Sequence, residues 1–144
     1  MEANEIMIGD LLRVTKDVCI KKGTIVRVRA IDADDSLPQK GLKCAVRCQP
    51  IDDIYGMNIG GVWLNYLEPI PLTAEILGKN GFVPDNFSPY YLPIKDGSVR
   101  FSKHQYGLYC NILRPYQRYD GVCNYVHNLQ HALRLCGIDK EIVL

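Results

Sequence analysis

Two cleanly alternating strand patterns in the first third of the chain give way, near its end, to a helical pattern. That change of period restricts the fold to a mixed one, strands first and a helix last. The run Leu42-Lys43-Cys44-Ala45-Val46-Arg47-Cys48-Gln49 sets Leu42, Cys44, Val46 and Cys48 on one side and Lys43, Arg47 and Gln49 on the other. This is the period of a half-buried strand. Thr24-Ile25-Val26-Arg27-Val28-Arg29-Ala30-Ile31 repeats it, with Val26, Val28 and Ala30 set against Arg27 and Arg29. The run 122–136 instead places apolar residues every three or four positions. At about 100° per residue, Val122, Tyr125, Val126, Leu129, Ala132, Leu133 and Cys136 fall within about 60° of Leu129, and His127 and His131 lie about 160° away. The expectation is a helix that buries the first set and turns both histidines to solvent beside Asn124 and Arg134. Gly137 then stands where a left-handed residue ends a helix.

Further strand-like segments at 9–14 and 57–67, with Gly and Asp clusters between them, indicate a small antiparallel barrel or sandwich, and a small antiparallel β-barrel over residues 1–72 is expected. Residues 32–41, with Asp34, Asp35, Ser36 and Pro38, read as a long hairpin loop. In 73–144, Thr73 is placed to cap a short helix that Asn80-Gly81 stops. A loop with Pro84, Pro89 and Pro93 follows, then a hairpin from 97–103 and 106–113, a loop, and the amphipathic C-terminal helix. The expected fold class is therefore α+β in two lobes, 1–72 and 73–144. The short link Pro69-Ile70-Pro71 leaves open whether they share one core.

A chain of 144 residues is long enough for such a core, and its 47% hydrophobic and 23% charged residues match a globular domain rather than a disordered one. No apolar run approaches the roughly 20 residues of a membrane helix, and the start Met1-Glu2-Ala3-Asn4-Glu5 lacks the basic, then apolar, order of an export signal. A cytoplasmic protein with no membrane partner is expected. Six cysteines are present, but Cys44 and Cys48 lie on one strand face about 13 Å apart, beyond disulfide bridging. Cys110 and Cys136 fall on apolar stripes and there is no C-x-x-C pair, so reduced, buried thiols are expected, while pairings among Cys19, Cys110 and Cys123 stay open. The net charge of +1 withholds the general positive excess of a nonspecific nucleic-acid binder. Arg27, Arg29 and Arg47 form the local patch on which a nucleic-acid alternative rests.

No catalytic constellation is complete. His127 and His131 have the i, i+4 spacing of the zinc-peptidase helix, yet the intervening general-base Glu is replaced by Asn128, and the third ligand is missing. The pair is kept only as a weak metal alternative, and no cofactor is expected. The acidic run from Asp32 lacks the Gly and the final carboxylate of a calcium loop. Gly56-Met57-Asn58-Ile59-Gly60-Gly61 lacks the spacing and the Lys of a phosphate loop and reads as a turn or bulge. Seven of the nine tyrosines lie from Tyr90 to Tyr125. Arg114, Tyr116, Arg118 and Tyr119 share the segment read as a loop before the last helix. Tyr and Arg are enriched where proteins bind one another, which makes these four the expected protein-binding residues; the alternatives are stacking on single-stranded bases and tyrosines that only cover a small sheet with their hydroxyls in water.

Ile8-Gly9-Asp10-Leu11-Leu12-Arg13-Val14, Lys22-Gly23-Thr24-Ile25-Val26-Arg27-Val28 and Trp63-Leu64-Asn65-Tyr66-Leu67-Glu68-Pro69-Ile70 resemble the opening, second and closing strands of a Src-homology-3-like small barrel. The whole chain, especially residues 67–82 and 125–133, is also similar to short uncharacterised proteins of gut Bacteroidetes and their prophages. That resemblance implies a cytosolic or phage-associated setting and no known activity. The function expected from the sequence is a non-catalytic binding or adaptor module with a protein partner. Nucleic-acid binding and, more remotely, metal-dependent hydrolysis at His127/His131 are the alternatives.

Overall fold

The computed structural model describes residues 1–32 and 44–144. The expected hairpin loop, with Asp34, Asp35 and Ser36, and the residues Leu42 and Lys43 of the predicted strand lie outside the described residues. Among those described, nine antiparallel strands and two α-helices form two sheets, so the chain is α+β and rich in β structure. It divides into two compact units, Met1–Ile70 and Pro71–Leu144. No helix among the described residues is long and apolar enough to cross a membrane.

The first unit contains β1 (Leu11–Val14), β2 (Ile25–Asp32), β3 (Ala45–Pro50), β4 (Gly60–Trp63) and β5 (Leu67–Pro69). They pair in the order β4-β3-β2-β1-β5, which leaves β4 and β5 at the two edges. The sheet is thus open, and the expected small barrel is not closed. Gly23, at φ 86°, turns the chain between β1 and β2 and donates its N–H to the Val14 carbonyl at 2.7 Å. Leu12, Val14, Val26, Val28, Val46, Cys48 and Val62 form the core, each aliphatic side chain contributing about 1.5–3 kcal/mol by leaving water.

Two departures from simple alternation shape this sheet. Register shifts between Val28 and Ala30, so that Ala30 faces Arg47 and Ile31 faces Val46. Arg29 is the extra residue of a β-bulge, and one inserted residue exchanges the two faces beyond it. Ile31 therefore packs against the core in place of the expected Ala30. The predicted strand 57–67 is broken by a single 3-10 turn, Leu64–Tyr66. The break lets β4 pair with β3 while β5 crosses to β1, a change of partner that an uninterrupted strand cannot make.

In the second unit, β6 (Tyr90–Ile94), β7 (Gly97–His104), β8 (Gly107–Arg114) and β9 (Gln117–Val122) form a meander in sequence order. Two-residue connections join successive strands from β6 to β9. The predicted hairpin is the central pair of this sheet. The segment expected to be a loop between 113 and 121 is its third hairpin, turned at Pro115-Tyr116. Val99, Phe101, Cys110 and Ile112 are fully buried on one face, and α2 (Val126–Leu135) packs on β8 and β9. This helix starts four residues later than predicted, because Val122 pairs with Tyr109 and the Cys123 N–H reaches the Leu108 carbonyl.

Both helices close as their sequences predict. Thr73 Oγ1 accepts the Ile76 N–H ahead of α1 (Ala74–Lys79). At its end the Gly81 N–H reaches the Gly78 carbonyl and the Phe82 N–H that of Leu77. Gly137 and Ile138 repeat the same two bonds on α2, to Arg134 and Leu133. This is the Schellman arrangement, and Gly137 adopts the φ of 64° it requires.

Candidate functional site

The two histidines are close, but their surroundings differ from the expectation. His127 is buried and His131 half-buried, which corrects the prediction that both face solvent. The Tyr125 ring stacks on His127 with centroids 5.7 Å apart, and His131 meets it edge-on at 5.6 Å. A helical wheel assigns burial from one packed stripe alone, and it omits this aromatic cover over the first turn. Asn128, in the place of the zinc-peptidase Glu, accepts the Tyr125 N–H through Oδ1 at 3.2 Å and so caps the helix. Among the described residues, no group of three or more His, Cys, Asp or Glu side chains is placed to hold a metal ion.

Of the four residues expected to bind a partner, Arg114 and Tyr116 line one depression at the third hairpin, and the four do not form one patch. Arg114 Nη1 donates to the Cys136 carbonyl at 2.6 Å, satisfying the negative end of α2. Arg118 pairs with Asp120 at 2.6 Å, and this charge-assisted bond holds the Asp120 carboxyl below its ordinary pKa. Tyr119 points to the other side of β9 toward the Cys123 sulfur, and burial pushes its phenol pKa up. Only Tyr116, at 99% exposure on the turn, presents its ring to solvent. Strand alternation separates residues that neighbour one another in sequence.

Arg27, Arg29 and Arg47 are brought together. Arg27 stands opposite Gln49 and Arg47 opposite Ala30, while Arg29, at the bulge, donates Nε to Gln49 Oε1 at 2.6 Å. All three rise on the side of the sheet away from the buried Val28 and Cys48.

The cysteines are all free thiols. Burial pushes the Cys48 pKa up to about 12 and raises that of Cys136. Cys110 donates its S–H to Cys123, which raises the Cys110 pKa and lowers that of Cys123. Cys19 alone is exposed, its sulfur 3.2 Å from the Gly61 carbonyl. A bulky thiol reagent should therefore modify one cysteine in the folded protein and the remaining five only after denaturation. Peptide mapping of the labelled protein checks this, and early labelling of Cys48 or Cys110 would contradict the burial described.

The surface that sequence reasoning missed is the β3–β4 connection. Ile51, Ile54, Tyr55, Met57 and Ile59 are 46%, 78%, 82%, 82% and 50% exposed within nine residues. The loop is held in shape by Asp53. Its carboxylate accepts the Asn58 N–H at 2.6 Å, and its carbonyl accepts the Gly56 N–H and the Gln49 side-chain amide. Beside it opens a depression of about 470 Å³ lined by Lys21, Thr24, Pro50, Asp52, Asp53 and Asn58. The signal lay in the composition, apolar residues between Asp52-Asp53 and Gly60-Gly61 with neither strand nor helix period; extending a strand back to Met57 concealed it. No protein family, curated protein or solved structure matches the chain.

Proposed function

We propose that this protein is a non-catalytic binding module and that the β3–β4 loop is its contact surface. The observation that carries the reading is the cluster of five exposed apolar side chains on a loop already ordered by Asp53. Large apolar patches on soluble proteins mark interaction sites, and a pre-ordered loop loses less conformational freedom on binding. A Src-homology-3-like character for residues 1–70 belongs to the same proposal. It is supported by the placement of the three segments that carry the resemblance, since β1 pairs with β2 on one side and with β5 on the other. A bacterial or phage-encoded origin rests on the sequence resemblance alone.

The test compares proteins captured by the immobilised chain and by its Ile54→Ser/Tyr55→Ser/Met57→Ser variant, using extract of the organism that encodes it. The expected result is a partner retained by the unmodified chain and depleted roughly tenfold or more with the variant. Identical capture profiles would remove the loop from the binding role.

A second reading, nucleic-acid binding through Arg27, Arg29 and Arg47, is favoured because the three stay on one face of the sheet across the bulge, with Arg29 bonded to Gln49. Three phosphate contacts predict that the logarithm of the affinity falls with the logarithm of salt at a slope of about −2 to −3. A flat response in fluorescence anisotropy with labelled oligonucleotides would dispose of it.

A further inference from the structure

We infer that the occupant of the β3–β4 loop surface is a second copy of this chain, joined about a two-fold axis. The inference rests on the binding-module reading above and adds the identity of the partner. Three observations lead to it.

The first is area. Ile51, Ile54, Tyr55, Met57 and Ile59 at their stated exposures present on the order of 700 Å², close to the ~800 Å² that each partner contributes to a stable protein interface. One loop thus supplies nearly a whole interface side before any neighbouring residue is added.

The second is charge. The adjoining depression carries Lys21 as well as Asp52 and Asp53. A patch that holds both signs is complementary to itself. In an isologous contact the patch meets its own image, so an axis passing between the two groups sets Lys21 of each copy against Asp52 of the other. Lys21 and Asp52 are both exposed on the rim of the depression.

The third is shape. Asp53 is occupied inside the loop through its carbonyl and one carboxylate oxygen, so the apolar side chains are presented by a fixed frame. A lipid surface suits the patch less well, since Asp52 and Asp53 would be carried toward anionic headgroups together with the apolar residues.

The experiment is sedimentation equilibrium of the untagged 144-residue chain from micromolar to millimolar concentration, compared with its 16.3 kDa mass. The expected result is a reversible dimer whose dissociation constant rises roughly a hundredfold in Ile54→Asp/Tyr55→Asp. Lys21→Glu and Asp52→Lys should each weaken the dimer, since both cross-axis pairs then carry like charges, and an equimolar mixture of the two should restore it, since in the mixed dimer both pairs are of opposite sign. All of these positions are on the surface, and circular dichroism melts verify that each variant remains folded. A monomer at every concentration, a dimer indifferent to the loop substitutions, or a mixture that fails to recover would each overturn the inference. A monomer that still captures a different protein through the loop overturns self-association alone. A monomer that captures nothing overturns the binding-module reading as well.

Discussion

Phe101→Ala lowers the stability of the second unit by about 3–5 kcal/mol, the range for truncating a large aromatic side chain in a closed core. Phe101 has no exposed surface, and its ring meets Phe82 edge-on at 5.5 Å. It lies on β7, between Tyr90 of β6 and Cys110 of β8 in the sheet register. Truncation removes the aromatic area and the edge-to-face contact together, and strands paired on both sides of β7 restrict how far the backbone can close the cavity. Urea denaturation of the full chain, followed by the far-ultraviolet signal, measures the change. A loss below about 1 kcal/mol would mean that the site collapses freely, contrary to the close packing of the sheet face.

Asn80→Ala costs about 2–3 kcal/mol, with its largest local effect at the far end of the chain. The Asn80 side chain is almost wholly buried. Its Nδ2 donates to the Ile76 and Val143 carbonyls, both at 2.7 Å, and its Oδ1 accepts the Val143 N–H at 2.9 Å. A primary amide thus pairs with the backbone of Val143 as an adjacent strand would, and it fastens a tail that carries the buried Ile142. Removing it forfeits three bonds at about 0.5–1.5 kcal/mol each. Hydrogen exchange at the Val143 amide should accelerate more than exchange in β7 or β8, since the tail opens locally before the sheet does. Equal protection at Val143 in both proteins would show that Ile142 alone holds the tail.

What could be read from the sequence follows the range of each physical signal. Capping depends on neighbouring residues, so Thr73 ahead of α1, Asn80-Gly81 after it and Gly137 after α2 were correctly placed from side-chain chemistry and glycine's access to positive φ. Alternation survives wherever one strand face is buried, which identified β2, β3 and the β7–β8 pair. The signal failed on β9. Arg118, Asp120 and Val122 are exposed, and Tyr119 is only half-buried, so no apolar face marks Gln117–Val122 as a strand. The proposed Tyr/Arg patch dispersed for the same reason, with Arg114 committed to the end of α2, Arg118 to Asp120 and Tyr119 to the opposite face.

Residue order was enough to assign the α+β class, the ends of both helices and the side of the first sheet on which Val26, Val28, Val46 and Cys48 are buried. These follow from interactions within a few residues of the chain. Contacts between distant parts of the chain set the bulge that brings Ile31 to the core in place of Ala30, the burial of His127 under Tyr125, the tie from Asn80 to Val143 and the exposure of Ile54, Tyr55 and Met57. Each of these depends on what lies across a strand, beyond a turn or at the other end of the chain. Periodicity carries no information about such neighbours, because it records which side a residue faces and not what is packed there.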